Sequence, residues 1–385
     1  MKVLALDTET TTHNKGNPHD PRNKLICFSY ADDNRFKAET NLSILVYDLL
    51  PNYDLVVGFN FKFDAHWFKK RGVYIPYNKV WDVQLAEFIL SNQNNSYPSL
   101  NETCIKYGIP VKKNVVKEEY WDKGIDTDQI PWHILAEYAA HDAYITLQCY
   151  YAQIKLMTPA QIKLCKLQSQ DMMILMEMEA NGLPFDEELC QVRAKELDDK
   201  ISTLKRELAE IYPNTPINFG SNDQLSAFLY GGIVKEESKE HIGFYKTGLK
   251  KGEPKYQNII IEHQLPRLYQ PLKGSEMAKE GVFATDEGTL RKLKGKKGVL
   301  DKILELSKLE KLNGTYYNGL IKLRKEMNWT PNILHGNFNQ TTAKTGRLSS
   351  SKPNLQNFAS DLQDIFISKY NDQRTRTTAI QRCAN

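Results

Sequence analysis

The sequence predicts an α/β domain at its N-terminal end, followed by a mainly helical region. Three observations carry this. Short apolar runs in the first third, such as Val3-Leu4-Ala5-Leu6, have strand length and are bounded by polar residues. A helical spacing of apolar residues closes that third, from Ile134 to about Met157. After Thr158-Pro159 the chain turns to long, charge-laced helical segments. Strands alternating with helices within one segment point to an α/β layer. The 385 residues predict two or three domains, at about 100–200 residues each.

The elements follow in order. Val3-Leu4-Ala5-Leu6 reads as a buried strand, Lys24 to Tyr30 as a second, and Leu55-Val56-Val57-Gly58-Phe59 as a third. The third strand ends at Asn60, where a helix is expected to start. Pro159 suits the first turn of the next helix, with Thr158 as its N-cap. Residues 160–180 read as one helix, broken by Asn181-Gly182-Leu183-Pro184. Residues 186–212 form another, ended by Pro213, and residues 298–326 a further long helix. Residues 231–280 are rich in Gly, Lys and Glu and have weak periodicity. Residues 373–385 have almost no apolar side chains and read as a frayed, disordered tail. Neither an internal repeat nor a low-complexity tract is found.

Composition narrows the function. Hydrophobic residues make up 41% and charged residues 25%, which excludes global disorder. No run approaches the ~18 apolar residues of a membrane span, and the N-terminal apolar stretch is too short for a signal peptide. A cytoplasmic protein without a membrane partner is the expectation. With 51 Lys and Arg against 47 Asp and Glu, the net charge of +4 permits a nucleic-acid partner without requiring one. Cys27, Cys104, Cys149, Cys165, Cys190 and Cys383 form no Cys-x-x-Cys pair and no zinc-ligand spacing, so they read as reduced core residues.

Three acidic patterns lie in the first third. Asp7-Thr8-Glu9 follows the first strand, and residues i and i+2 of an extended chain share a face, so both carboxylates can converge. Asp64 follows Asn60-Phe61-Lys62-Phe63 near a helix start, a place where the dipole favours a carboxylate. Tyr138 and Asp142 are four apart on a helix and share one of its faces. Each pattern alone is better explained as a solvated strand end, a first-turn acid or a core-edge tyrosine. Together they place four carboxylates and a phenol in one α/β segment. Four crowded carboxylates repel unless cations neutralise them, and oxygen-only ligands suit Mg²⁺ or Mn²⁺. Two such ions can clamp a phosphodiester.

The set Asp7-x-Glu9, Asn60-x-x-Phe63-Asp64 and Tyr138-x-x-x-Asp142 resembles the DEDDy 3′→5′ exonucleases, which have a ribonuclease H-like fold. The resemblance implies two divalent cations, Mg²⁺ or Mn²⁺. Asp7 would bridge them, Glu9 and Asp142 would complete the coordination of the first ion, and Asp64 would hold the second, partly through water. It also makes Tyr138 the residue that orients the attacking water. Asn60, Phe63 and the backbone of Thr8 and Thr10 would grip the terminal nucleotide, with Leu6 and Phe63 stacking on or wedging the frayed end. Asp82 resembles a further recurring acid of the family and is read as structural support. His141 is not expected to be a ligand, because the tyrosine-type site uses none.

A second resemblance covers the later chain. Thr345-Gly346-Arg347-Leu348-Ser349-Ser350 and Pro353-Asn354-Leu355-Gln356-Asn357 resemble the start of the palm in family A DNA polymerases. Arg347 is a donor fork for base edges or phosphates, and Asn354 and Gln356 suit minor-groove acceptors. Thr345 belongs to the same element. The stretches 171–186, 217–225, 283–287 and 308–316 resemble parts of that family's thumb. Lysines between Lys246 and Lys255, and between Arg291 and Lys297, could track phosphates.

The expected layout is an exonuclease domain over 1–157, a thumb-like region over 158–335, the start of a palm over 336–372 and an unmatched tail over 373–385. The resemblance therefore implies the proofreading portion of a phage-like DNA polymerase in DNA replication, with the 3′ strand and primer-template as partners. The acids of the polymerase site are not found in the sequence, so polymerisation is expected to need a second chain carrying the remaining palm and fingers. A free-standing DNA or RNA exonuclease and a catalytically idle DNA-binding fragment are the alternatives.

Overall fold

The computed structural model describes residues 1–111, 115–244, 246–248, 251–295, 297–358 and 360–367. The expected tail over 373–385, Cys383, and the lysines at 250 and 296 lie outside the described residues. Packing divides the chain into two compact units, residues 1–187 with those from Leu320 onward, and residues 188–319.

The first unit is built on a five-stranded sheet. Its strands are β1 (Val3–Thr10), β2 (Leu25–Ala31), β3 (Phe36–Glu39), β4 (Leu55–Gly58) and β5 (Val80–Asp82), in the order β3-β2-β1-β4-β5. β1 is central, antiparallel to β2 and parallel to β4. The apolar runs of β1 and β4 are buried at successive positions, as strands covered on both faces must be. The three strands expected from the sequence are present. The missed strands, β3 and β5, lie at the two edges and are short, with four and three residues.

The helices of this unit are α1 (Lys62–Lys70), α2 (Val83–Leu90), α3 (Leu100–Lys106), α4 (Val115–Glu119), α5 (Trp132–Leu156) and α6 (Pro159–Asn181). α5 lies along β1, β2 and β3, while α6 packs on β5, α1 and α2. α6 opens with a capping box: Thr158 Oγ1 accepts from the Gln161 N–H, and the Gln161 side chain accepts from the Thr158 N–H at 2.9 Å. Such a cap contributes about 1 kcal/mol. α6 ends at Gly182, whose φ is +65° and whose added Cβ would sit 2.6 Å from Ile333, so only glycine fits this turn.

α6 was expected to open the thumb-like region. Its Cys165, Met172, Met173 and Met176 instead share a core with Val3, Leu4, Leu6, Phe28 and Trp81 of the sheet. The packing boundary thus falls after α6, at Glu187, and the strand β6 (Leu183–Pro184) also belongs to the first unit.

The second unit contains α7 (Glu187–Ala209), α8 (Asn222–Tyr230), an antiparallel ribbon of β7 (Gly232–Phe244) and β8 (Pro254–Leu265), α9 (Glu287–Leu290) and α10 (Lys297–Lys311). Ser221 caps α8 and Asp286 caps α9, each accepting from the N–H three residues on. Lys205–Glu310 at 2.7 Å and Lys302–Glu207 at 2.8 Å join α7 to α10. The ribbon occupies the stretch whose periodicity was weak. Its side chains are largely exposed, so little burial pattern was there to be read. The single helix expected over 298–326 is interrupted by a wide turn at Leu312–Tyr317 before α11 (Asn318–Glu326).

From Leu320 the chain returns to the first unit. β9 (Ile333–Leu334) pairs with β6, and β10 (Asn337–Asn339) with β11 (Ser349–Ser351). Arg324 makes a two-point ion pair with Glu187, at 2.8 Å on each arm. Cys27, Cys104, Cys149, Cys165 and Cys190 are buried, and none of them is in a disulfide. Among the described residues no helix is long and apolar enough to cross a membrane.

Candidate active site

Asp7 and Glu9 lie inside β1, which runs three residues beyond the acidic pair's first member. The two-residue period turns both side chains to the face that α5 covers. α5 supplies Asp142 to that face. The carboxylate oxygens of Asp7, Glu9 and Asp142 all lie within 4.8 Å of one another. Tyr138, one turn earlier on α5, is hydrogen-bonded to Asp142.

Asp64 comes from the opposite direction, in the first turn of α1. It is buried, and its Oδ1 accepts the hydroxyl of Thr8 at 2.5 Å. The start of α1 is fixed by Asp82, as support of the kind the sequence suggested. Asp82 accepts from the Phe61 N–H at 2.7 Å and caps α2 by accepting from the Leu85 N–H at 2.7 Å. The close approach of Phe61 to β4 needs Gly58, where a Cβ would lie 2.3 Å from the ring.

The electrostatics follow from this crowding. Burial pushes Asp7 well above the usual carboxylate range, and the charges of Asp64, Glu9 and Asp142 add to the shift. Burial does the same for Glu9, with Asp142 and Asp64 adding. Asp64 is raised by burial to about 7, against the lowering effect of the Thr8 hydrogen bond. The Tyr138 phenol is pushed far up by burial, then by Asp142, Glu9 and Asp7, so it stays neutral. The four acids therefore cannot all ionise without a positive counter-charge. A set of carboxylate oxygens this close fits a hard divalent cation.

The site residues expected for the terminal nucleotide divide into two groups. Asn60 and Phe63 line a cavity of about 360 Å³, together with Lys62, His66, Glu179 and Gln340. Asn60 is exposed with φ +54°, a left-handed conformation that asparagine tolerates. Leu6, in contrast, is fully buried in the core. It alternates with Asp7 and Glu9 along β1 and is turned to the opposite face of the strand, and its full burial leaves no surface to wedge a frayed end. Thr8 and Thr10 are buried too. Their hydroxyls are taken by Asp64 and by the Thr11 carbonyl, so only their backbone remains for a ligand.

Thr345, Arg347, Asn354 and Gln356 are exposed, on the segment that flanks β11. None of them lines the cavity. Asn354 accepts from the Gln356 N–H at 3.2 Å, a local turn that shapes the segment. The acidic set among the described residues consists of Asp7, Glu9 and Asp142, and His141 stands next to Asp142 in the chain. Sequence reasoning passed over Lys62, His66 and Glu179. The signal was present, since Lys62 and His66 are four apart on α1 and Glu179 stands in the 171–186 stretch.

Comparison with known proteins is consistent with this geometry. Residues 1–158 match the family described as 3′-5′ exonuclease, and residues 252–381 match DNA polymerase family A. The second match runs into the stretch over 373–381 that the sequence reading left unmatched. The chain is 28% identical over 305 residues to DNA polymerase I of Synechocystis sp., covering 77% of this chain and 26% of that protein. It is 25% identical over 339 residues to the DNA polymerase of Bacillus phage SP01, covering 84% and 36%. The chain thus spans roughly a quarter to a third of these relatives' length. In structure it is similar to the POL domain of Pol1 from M. smegmatis, with a TM-score of 0.63 and 19% identity, covering 94% of this chain and 54% of that one. That likeness concerns the fold. The chain thus carries a 3′-5′ exonuclease domain at residues 1–158 and a segment matching DNA polymerase family A at residues 252–381.

Proposed function

We propose that the first unit removes nucleotides from the 3′ end of DNA, as the proofreading exonuclease of a family A DNA polymerase. The observation that carries this is the convergence of Asp7, Glu9 and Asp142 within 4.8 Å, with Asp64 beside them. DNA as the substrate is supported by the DNA polymerase relatives and by the Pol1 structure, which was solved with primer-template.

The residues divide the work. Two Mg²⁺ or Mn²⁺ ions, held by Asp7, Glu9, Asp142 and Asp64, would polarise the phosphodiester and lower the pKa of a water. Tyr138 stays a neutral phenol on Asp142, in place to hold the attacking water by hydrogen bonding. Asn60 and Phe63 line the cavity in which the terminal nucleotide would sit, amide against sugar and phosphate and ring against base. The exposed Thr345, Arg347, Asn354 and Gln356 suit the phosphates and minor groove of the primer-template duplex.

The test is a 5′-labelled primer on a mismatched template with Mg²⁺, run for the natural chain and for Asp7→Ala. Ladder-like shortening by the natural chain alone is expected. No shortening by the natural chain, or equal shortening by both, sinks the reading. An RNA strand of equal length separates DNA proofreading from general nuclease action, because DNA should be degraded faster.

A further inference from the structure

Near the end of α6, Glu179 is a meeting point of three segments of the first unit. It is 5% exposed. Its Oε1 accepts from Lys62 Nζ at 2.6 Å and from the Phe338 N–H at 2.6 Å, and its Oε2 pairs with His66 Nε2 at 2.8 Å. Its main-chain carbonyl meets His335 Nδ1 at 2.8 Å. Lys62 also reaches Asn337 Oδ1 at 2.9 Å and the Phe338 carbonyl. Three imidazoles close over this group: His335 stacks on His19 at 3.7 Å, and His66 meets His19 edge-on at 5.1 Å.

We propose that Glu179 is a positioning residue for hydrolysis, which through Lys62 and His66 sets the helix that carries Asp64, and through Phe338 registers the β10–β11 hairpin on that helix. The inference rests on the exonuclease reading above. α1 enters the site with Asn60, Phe63 and Asp64, and two carboxylates hold its first turn. Asp82 grips the main chain at Phe61, and Glu179 grips the side chain of Lys62. Glu179, Lys62 and His66 line the same cavity as Asn60 and Phe63, so a shift of the pair would displace residues on either side of Asp64 and the lining proposed for the terminal nucleotide. Burial pushes the Glu179 carboxyl up, but the His66 hydrogen bond and the Lys62 charge outweigh it, and the group is held below the usual range. A buried ion pair adds little net stability over apolar side chains of the same size, whereas it does demand one geometry. Geometry is what a metal-dependent hydrolysis site needs, because a misplacement of about 1 Å can cost a hundredfold in rate.

The experiment uses the whole chain and two substrates. One is a single-stranded DNA oligonucleotide. The other is the p-nitrophenyl ester of thymidine 5′-monophosphate, which is small enough to need only the terminal-nucleotide and metal sites and no further DNA contacts. Glu179→Ala should lower kcat on both by about tenfold and raise the Mn²⁺ concentration needed for half-maximal rate. Glu179→Gln, which keeps the oxygen for Phe338, should fall between, and Lys62→Arg should keep most of the rate. If Glu179→Ala does not fold, the double exchange K62M/E179M replaces the ion pair by apolar side chains of similar volume. That variant should fold and still be slow. Wild-type kcat and metal requirement in the folded variants, with only the melting temperature lowered, would overturn the proposal and leave Glu179 a packing residue. An inactive natural chain would instead overturn the exonuclease reading, and the proposal with it.

Discussion

The hydroxyl of Thr8 donates to Oδ1 of Asp64 at 2.5 Å, joining the strand of Asp7 and Glu9 to the helix of Asp64. Both partners are buried, and the hydrogen bond is the direct link between the two halves of the acidic site. A hydrogen bond to a charged group contributes about 1.5–3 kcal/mol. Thr8→Val keeps the shape and loses the donor. It should lower kcat by about tenfold and weaken Mn²⁺ activation, while Thr8→Ser restores both. Steady-state rates across a Mn²⁺ titration check this, and unchanged kinetics in Thr8→Val would show that the hydroxyl only fills space.

Tyr138 separates water positioning from metal binding. Its phenol bonds Asp142, and its pKa is pushed up by burial and by the acids. Tyr138→Phe should slow hydrolysis by about a hundredfold and leave Mn²⁺ affinity, read by calorimetry, close to that of the natural chain. A loss of metal affinity in the variant would make Tyr138 a structural partner of Asp142 instead.

The raised carboxyl groups predict an inverted pH dependence of stability without metal. Asp64 is raised to about 7 and Asp82 to about 6, in both cases by burial first, and Asp7 and Glu9 are also raised. Between the unfolded value of 3.8 for aspartate and these folded values, the folded chain binds more protons than the unfolded chain. Stability from these groups is therefore present at low pH and falls as pH rises through about 6 to 7. Metal needs the ionised ligands, so Mn²⁺ should raise the melting temperature more at pH 8 than at pH 5.5. Thermal melts at both pH values test it. An equal shift at both, or a shift that survives in Asp7→Asn, would contradict the site.

Asp82 should matter more for folding than for chemistry. It holds two main-chain N–H groups and is 1% exposed. Asp82→Ala removes a helix cap and orphans a second buried donor, a loss of about 2–4 kcal/mol. Urea unfolding should show this. The rate per folded molecule should fall too, because the Asn60–Asp64 turn loses its main-chain anchor at Phe61. Natural-like stability in the variant would mean that another group takes over the Phe61 N–H.

Local pattern was enough for much of the site. Asp7 and Glu9 share a face because a strand alternates, and Tyr138 and Asp142 share one because a helix repeats. The strands β1, β2 and β4 and the helices α5 and α6 were legible from runs, caps and breaks. Leu6 was misjudged by the same logic left incomplete, since the alternation that exposes Asp7 to the site turns Leu6 into the core. The edge strands β3 and β5 and the ribbon of β7 and β8 gave too little burial pattern to be seen.

The sequence by itself thus determined the acids, the phenol and the local elements that present them. It also determined where α6 starts and stops, because capping and helix-breaking residues act over a few positions. Only the tertiary structure decided that Thr8 meets Asp64, that α6 packs with the sheet, and that Glu179 gathers Lys62, His66 and Phe338. Those partners lie 56 to 159 residues apart in sequence. Such contacts depend on how whole elements bury their apolar faces together, and no short window of sequence carries that information.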